Sequence, residues 1–185
     1  MKSFTTLFVA GLALAGASIP AMAETAPARA EFKNPQGATV GEATLRETDD
    51  GVQIHLVLRN LHAGKHGFHI HEKGSCVGPD FESAGGHFNP TGKQHGLANP
   101  AGAHAGDAHN IEISSDGSLE TQILNKHVTL QQGKANSLFK PGGTALVVHA
   151  GQDDQKTDPA GDAGPPIACG VVTHAQKMNG GKPPF

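Results

Sequence analysis

Short apolar segments, rich in branched residues and separated by glycine-rich turns, constrain the fold of this chain most. No segment keeps a helical hydrophobic period between capping residues. The turns at 49–51 (Asp-Asp-Gly) and 114–117 (Ser-Ser-Asp-Gly) are typical of hairpins. Many short strands with such turns predict an all-β domain, either a sandwich or a barrel. The predicted strands are residues 38–45, 52–58, 66–71, 111–113, 119–124, 145–149 and 168–172.

Two long stretches break this pattern. Residues 73–107 and 150–167 are rich in glycine, proline, asparagine, aspartate and histidine, and poor in branched apolar residues. Loops of this length are uncommon in a compact domain and are usually functional or disordered. Both contain or adjoin candidate metal ligands, so we expect functional loops organised by a metal and a disulfide rather than linkers.

The N-terminus has the features of a secretory signal peptide. Lys2 precedes a short apolar run at 7–15, and Ala21-Met22-Ala23 offers the small residues that a signal peptidase requires. The apolar run is shorter than the ~20 residues of a membrane-spanning helix. We therefore expect a signal peptide at 1–23 and secretion of the mature chain. A flexible leader at 24–30, one domain at 31–175 and a C-terminal tail at 176–185 would follow.

Charge and aromatic content argue against nucleic acid as a partner. The chain has 14 lysines and arginines against 17 acidic residues, and removal of Lys2 with the signal peptide lowers its formal net charge from −3 to −4. It has no basic run and no tryptophan or tyrosine on which bases could stack. No segment after the leader predicts a membrane protein.

Histidines are numerous, twelve in all, and they cluster. An isolated histidine is usually an ordinary core or surface side chain, so only the clusters carry an argument. His69 and His71 are two apart on a predicted strand and therefore share one face. A second cluster lies in the 73–107 loop, where three imidazoles and one carboxylate form a complete four-ligand set for zinc. Its members are His87, His95, His104 and Asp107.

The residue types point to copper and zinc. Imidazoles without thiolates suit both metals, and copper is favoured at nitrogen-rich sites. His149 ends an apolar strand, where it is either a core histidine or a further copper ligand. Cys76 and Cys169 are the only cysteines, and an oxidising compartment favours their pairing over two free thiols.

Taken in order, the motifs resemble those of the copper,zinc superoxide dismutase family, in its bacterial periplasmic form. The resemblance covers residues 30–175 and implies an eight-stranded antiparallel Greek-key barrel, an immunoglobulin-like sandwich with two long functional loops. The activity implied is the conversion of two superoxide ions to oxygen and hydrogen peroxide by alternate reduction and oxidation of copper. The motifs are 67–72 (GFHIHE), 85–90 (GGHFNP), 104–107 (HAGD), 148–149 (VH) and 168–171 (ACGV).

The same resemblance implies a role for each site residue. His87 would be shared by the two metals as an imidazolate and be the catalytic residue, protonated and released from copper in the reduced state. Asp153 would accept hydrogen bonds from His69 and His95, and Cys76 would form a disulfide with Cys169. The implied copper ligands are His69, His71, His87 and His149, and the implied zinc ligands are His87, His95, His104 and Asp107.

The remaining histidines match no ligand position of the family. His66 lies in the motif at 67–72 but just before its histidine pair, and we expect it to bond to the backbone. The others are expected to be ordinary side chains: His55, His62, His109, His127 and His174.

One position departs from the family pattern. Family members usually carry an arginine three residues before the second cysteine, beside copper, where it attracts superoxide; here the residue is Pro166. Lys156 in the same loop is the candidate replacement. The alternative function is a periplasmic copper/zinc-binding or buffering protein of the same fold with reduced activity, but retention of every ligand favours the enzyme. Family members pair through different surfaces or remain monomeric, so a homodimer is left open.

Overall fold

The protein is described by a computed structural model over residues 26–175. The predicted signal peptide and C-terminal tail lie outside the described residues. Within them there is no α-helix, and no helix long and apolar enough to cross a membrane. The strands are β1 (Ala28–Lys33), β2 (Thr39–Thr48), β3 (Gly51–Leu58), β4 (Gly64–His66), β5 (Phe68–His71), β6 (Ile111–Ile113), β7 (Leu119–Asn125), β8 (Ala145–His149), β9 (Pro166–Val171) and β10 (Thr173–His174), with one 3-10 turn at Glu82–Ala84.

The strands form a curled antiparallel sheet in the order β5-β8-β9-β1-β2-β3-β7, with β10 also on β1 and a separate β4-β6 pair. Only Gly67 separates β4 from β5, and only Val172 separates β9 from β10. Counting each of these as one interrupted strand gives eight. The predicted all-β, antiparallel eight-stranded architecture is confirmed.

The core follows from strand alternation. Every second residue of β3 is buried, and β5 contributes Phe68 and Ile70 to the same cluster. Phe32 of β1 and Leu146 of β8 pack with them. Because the even-numbered residues of β5 and β8 enter the core, their odd-numbered residues face the outside of the barrel, where the two long loops lie.

The predicted flexible leader is wrong over its last three residues. Ala28 and Ala30 are buried, and they pair with Leu45 and Ala43 of β2. Small alanines alternating with Arg29 and other charged residues give a weak strand signal, and only pairing with β2 and β10 makes this segment a strand.

One of the two predicted hairpins is confirmed. Asp49 and Asp50 form a two-residue turn, and Thr48 pairs with Gly51 across it. The turn at 114–117 also forms, since the amide of Gly117 donates to the carbonyl of Ser114. Its flanking strands do not pair with each other, however, because β6 pairs with β4 and β7 pairs with β3. That turn passes from one sheet to the other.

The two long loops are present. The 73–107 segment contains no strand, and the second loop ends at Pro166, where β9 begins, two residues earlier than predicted. A third segment, 126–144, was not singled out by the sequence. It is not a surface connection, because Val128, Leu130 and Leu138 from it are buried in the core.

Candidate metal centre

Strand β5 presents two imidazoles on the outer face of the barrel. His69 pairs with Val147 and His71 with Ala145 of β8, so all four side chains share that face. Both histidines are buried, at 0% and 6% exposure. The predicted side-by-side placement of the His69–His71 pair is therefore found.

The end of β8 brings a third imidazole to the same place. A register irregularity separates Val148 from His149, whose amide donates to the carbonyl of Gly67 at 2.9 Å. The chain turns away after this point. His149 is thereby held next to the start of β5 and is not a core residue of the barrel interior.

The 73–107 loop reaches the site by pairing with the free edge of β5. The amide of Ile70 donates to the carbonyl of Gly106, and the amide of Phe88 donates to the carbonyl of Ile70, each at 2.8 Å. A side chain at Gly106 would collide with the Ile70 carbonyl, so the close approach requires glycine. These bonds carry His87 and Asp107 to the two histidines of β5.

Four imidazoles converge in a first group: His69, His71, His87 and His149. Nε2 of His71 and Nε2 of His149 lie 3.4 Å apart. Nδ1 of His69 and Nε2 of His87 are buried and have no hydrogen-bond partner in the structure. Buried nitrogens without partners are costly, and here they belong to rings packed with centroids 3.9 Å apart.

Acceptors at the opposite nitrogens fix three of these rings. Nε2 of His69 donates to Asp153 at 2.6 Å, Nδ1 of His71 to the carbonyl of Gly85 at 2.7 Å, and Nδ1 of His149 to the carbonyl of Gly164 at 2.8 Å. A neutral imidazole with one nitrogen donating has a lone pair on the other. The lone pairs therefore lie on Nδ1 of His69, Nε2 of His71 and Nε2 of His149, which are the nitrogens that converge in the first group.

A second group surrounds one carboxylate oxygen. Asp107 Oδ1 lies 2.9, 3.0 and 3.4 Å from the Nδ1 atoms of His87, His95 and His104, and the last lies 3.4 Å from Nδ1 of His87. A zinc tetrahedron with bonds of about 2.0–2.1 Å has edges of about 3.3 Å. The two 3.4 Å spacings match that edge and the other two are slightly shorter, and the donor set of three imidazoles and one carboxylate fits zinc.

Distance alone also associates His69 with His87, His95 and Asp107. The two metal groups are in fact contiguous, because the His69 and His87 rings are in contact. Nε2 of His69 bonds to Asp153, and its remaining nitrogen, Nδ1, already belongs to the first group. Nδ1 of His104, by contrast, lies 3.4 Å from both Asp107 Oδ1 and Nδ1 of His87. The contacts of His104 therefore complete the second group better than those of His69.

Two carboxylates hold the arrangement. Asp107 uses Oδ2 to accept the amides of Gly96 and His104, each at 2.9 Å, which leaves Oδ1 for the imidazoles. Asp153 faces Nε2 of His69 through Oδ2 and Nε2 of His95, 3.1 Å away, through Oδ1. Asp153 thus joins one ring from each group, as the family resemblance implies.

The pKa values divide the imidazoles into two kinds. Burial lowers the pKa of His69 and of His71 to about 3, and it also lowers the pKa of His149 and His104. Burial acts the same way on His95, but hydrogen bonds with Asp107 and Asp153 outweigh it and raise its pKa to about 9.

The carboxyl groups respond to the same contacts. Burial alone would raise the pKa of Asp107 and Asp153. Hydrogen bonds from His87 and His95 to Asp107, and from His69 and His95 to Asp153, instead hold both pKa values well below the usual range. At neutral pH the metal-free site therefore contains two carboxylates and a protonated His95.

The remaining sequence predictions can be placed. Cys76 and Cys169 form the predicted disulfide, with Cα atoms 5.7 Å apart. His66 bonds to the backbone as predicted, with the carbonyls of His149 and His62 2.8 and 2.9 Å from its two nitrogens. The histidines expected to be ordinary (His55, His62, His109, His127 and His174) belong to neither metal group.

Pro166 lies directly beside the first group, because it pairs with His149 between β8 and β9. Lys156 lies elsewhere. Its carbonyl accepts a hydrogen bond from Asn99, whose Nδ2 also donates to the carbonyl of His95. The backbone of Lys156 is therefore on the side of the second group.

Several contributors to the site gave no sequence signal. The carbonyls of Gly85 and Gly164 orient ligand rings, and any residue supplies a carbonyl. The side chain of Asn110 holds the Asp153 backbone with two hydrogen bonds of 2.8 Å. Its Nδ2 donates to the carbonyl of Asp153, and its Oδ1 accepts from the amide of Asp153. Such partners can be identified only when the loops are seen folded against each other.

Comparison with known proteins agrees with this geometry. The family model for copper/zinc superoxide dismutase matches residues 39–172. Superoxide dismutase (Cu-Zn) 2 of Aquifex aeolicus is 50% identical to this chain, over 93% of this chain and 99% of the relative. Superoxide dismutase (Cu-Zn) 1 of the same organism is 53% identical, over 82% of this chain and 90% of the relative. The crystal structure of a superoxide-dismutase-like protein from Bacillus subtilis aligns with a TM-score of 0.75 at 41% identity, covering 77% of this chain and 96% of the other.

The fold and the paired imidazole sites define a copper- and zinc-dependent oxidoreductase. The chain belongs to the copper/zinc superoxide dismutase family. Superoxide is the substrate of that family.

Proposed function

We propose that this chain catalyses the dismutation of superoxide, in which two superoxide ions and two protons yield oxygen and hydrogen peroxide. The observation that carries the proposal is the convergence of four buried imidazoles, two of them with unpartnered buried nitrogens, beside a contiguous donor set that shares His87. When bound, copper supplies the one-electron redox couple of the reaction, and zinc, which has no redox chemistry, supplies charge and order.

The residues fit these metals by donor type. All-nitrogen ligands favour copper, and the closed set of three imidazoles and one carboxylate favours structural zinc. We assign copper to His69 (Nδ1), His71 (Nε2), His87 (Nε2) and His149 (Nε2). We assign zinc to His87 (Nδ1), His95 (Nδ1), His104 (Nδ1) and Asp107 (Oδ1).

His87 is the residue that we assign to proton transfer. Its two nitrogens face the two groups, and two neighbouring cations favour loss of the second imidazole proton. Hydrogen-bond acceptors fix the protonation of the rings of His69, His71 and His149. Nε2 of His87 is therefore the nitrogen of the first group that can gain and lose a proton. It takes up a proton in the half-cycle that oxidises superoxide and donates it in the half-cycle that forms peroxide.

Metal content and turnover test the assignment together. The mature chain, fully loaded and dialysed, should retain one copper and one zinc and should remove superoxide in a pulse-radiolysis assay. His87→Ala should lower turnover sharply, whereas the matched change at an exposed histidine, His127→Ala, should not. Full loading without turnover would instead favour the copper/zinc-binding or buffering protein, and loss of copper on dialysis would refute the copper assignment.

We also propose that the chain acts in the periplasm after removal of residues 1–23. The Cys76–Cys169 disulfide supports an oxidising compartment. The mature domain would begin with β1 at Ala28, preceded by a shorter leader than the sequence predicts. Cell fractionation and N-terminal sequencing test this, since a cytoplasmic chain with reduced cysteines would contradict it. Sedimentation of the same material distinguishes a homodimer from a monomer.

A further inference from the structure

The loop between β8 and β9 brings a second carboxylate, Asp158, to the zinc group. Asp153 Oδ1 lies 3.1 Å from Nε2 of His95, and Asp158 Oδ1 lies 3.8 Å from Nε2 of His104. His95 and His104 are the two histidines that belong to the zinc group alone. Each therefore has its own carboxylate from this one loop opposite its outer nitrogen.

Asp158 is held where it can act on His104. Its Oδ1 accepts a hydrogen bond of 2.6 Å from the backbone amide of His95. The side chain of His104 is buried, with 8% exposed, whereas that of Asp158 is 49% exposed. The carboxylate thus forms the solvent-side wall of the zinc group and bridges its two histidines.

The orientation of the His104 ring decides what this contact does. Nδ1 points inward, 3.4 Å from Asp107 Oδ1, so a ring that binds through Nδ1 carries its proton on Nε2. That proton faces Asp158. A carboxylate opposite the outer N–H of a ligand histidine fixes the ring and strengthens it as a ligand.

We infer that Asp158 is a positioning residue of the zinc site, acting through His104 as Asp153 acts through His95. The inference rests on the zinc assignment proposed above. Partners of this kind change metal affinity by about 10–100-fold. Asp158 is half exposed and its contact is longer than that of Asp153, so its effect falls at the lower end, about tenfold.

The test uses Asp158→Asn, which keeps an oxygen to accept the His95 amide but removes the charge that faces His104. Asp162→Asn is the matched control, since it removes the same charge from an exposed position of the same loop. Its positive φ of 52° also suits asparagine. The readouts are zinc affinity by chelator competition and the visible absorption bands of Co²⁺ bound in place of zinc.

We expect about tenfold weaker zinc binding and shifted Co²⁺ bands for Asp158→Asn, and neither change for Asp162→Asn. Unchanged affinity and bands in Asp158→Asn would overturn the inference. So would equal losses in the two variants, which would indicate a general charge effect. A further variant, Asp158→Ala, removes the oxygen that accepts the His95 amide as well as the charge. If zinc affinity falls in Asp158→Ala but not in Asp158→Asn, Asp158 acts by accepting the His95 amide and not through His104, and the inference is overturned. Wild-type protein that fails to bind zinc would refute the zinc assignment itself, and the inference with it.

Discussion

Oδ2 of Asp153 lies 2.6 Å from Nε2 of His69, and both side chains are fully buried. The other oxygen of the same carboxylate lies 3.1 Å from Nε2 of His95. One buried group therefore touches a ring from each metal group, and Asn110 fixes its backbone. A substitution at one metal site should consequently alter the metal affinity of the other.

Asp153→Asn should weaken zinc binding by about 10–100-fold. An amide oxygen can still accept one hydrogen bond, but the lost charge no longer strengthens His95 as a ligand. A competition titration with a zinc chelator measures the change, with Asp162→Asn as the control for loop charge. If zinc affinity stays at the wild-type value, Asp153 does not link the two sites.

Gly161→Ala should also weaken zinc binding. A Cβ at Gly161 would collide with Oδ1 of Asp153 and would come within 2.6 Å of Nε2 of His95. Gly133→Ala is the matched control, because Gly133 also has a positive φ, 78° against 66°, but nothing within 4 Å of its Cβ position. The backbone strain should be comparable in the two variants, but only Gly161→Ala should also displace Asp153 and His95 and lose zinc. Equal zinc affinity in the two would contradict this account.

Pro166→Arg should raise the rate at low salt. Pro166 pairs with His149, so an arginine there places a positive charge beside the copper group, where an anionic substrate approaches. Steering of this kind raises association rates by about 10–10³-fold and weakens as salt shortens the Debye length to about 8 Å at physiological ionic strength.

Pro166→Gln is the control for that experiment, because it removes the proline ring without adding charge. Metal content must be equal in the proteins compared. A gain shared by Pro166→Gln would be an effect of the backbone. No gain in Pro166→Arg at low salt would refute the steering argument and leave the metal assignment untouched.

The metal-free protein should be most stable near pH 7. The pKa of His69 and His71 falls from 6.5 to about 3 on folding, so the unfolded chain gains protons first and stability is lost as the pH falls below 6.5. The pKa of His95 rises to about 9, so its contribution is complete below pH 6.5 and is lost as the pH rises toward 9.

Urea denaturation of the metal-free protein across pH 4 to 10 measures this dependence. Zinc binding removes the proton of His95, so calorimetry in buffers of different ionisation enthalpy should detect about one proton released from it near pH 7.5. A stability that rises steadily from pH 6.5 to pH 9 would be inconsistent with the raised pKa of His95.

Loss of the disulfide should lower the free energy of unfolding of the metal-free protein by about 4–5 kcal/mol, the chain-entropy value for a long loop. The bond joins residues 93 apart and ties the 73–107 loop to β9. Replacing Cys76 and Cys169 with alanine and reducing the wild-type protein should give similar losses in urea denaturation. A loss below about 1 kcal/mol in both would mean that the unfolded chain is restrained by other contacts.

Local patterns determined most of the fold and the identity of the ligands. Alternation along β3 and β5 is a property of the strand itself, so burial of Phe68 and Ile70 and the shared face of His69 and His71 could be read from the sequence. The alanine-rich β1 has no such pattern, and its place depends on pairing with β2. The turn at 114–117 has hairpin residues, but the partners of β6 and β7 lie elsewhere.

The sequence by itself determined which residues are candidate ligands, because three histidines and an aspartate in one loop, beside a histidine pair, have a chemical meaning that needs no coordinates. Only the tertiary structure decided which nitrogen of each ring faces which group. That choice depends on acceptors such as the carbonyl of Gly85 and the carboxylate of Asp158, which are remote in sequence from the histidines they face. Loop residues have no periodicity, so their positions follow from long-range hydrogen bonds to the edge of β5, which local sequence patterns do not reveal.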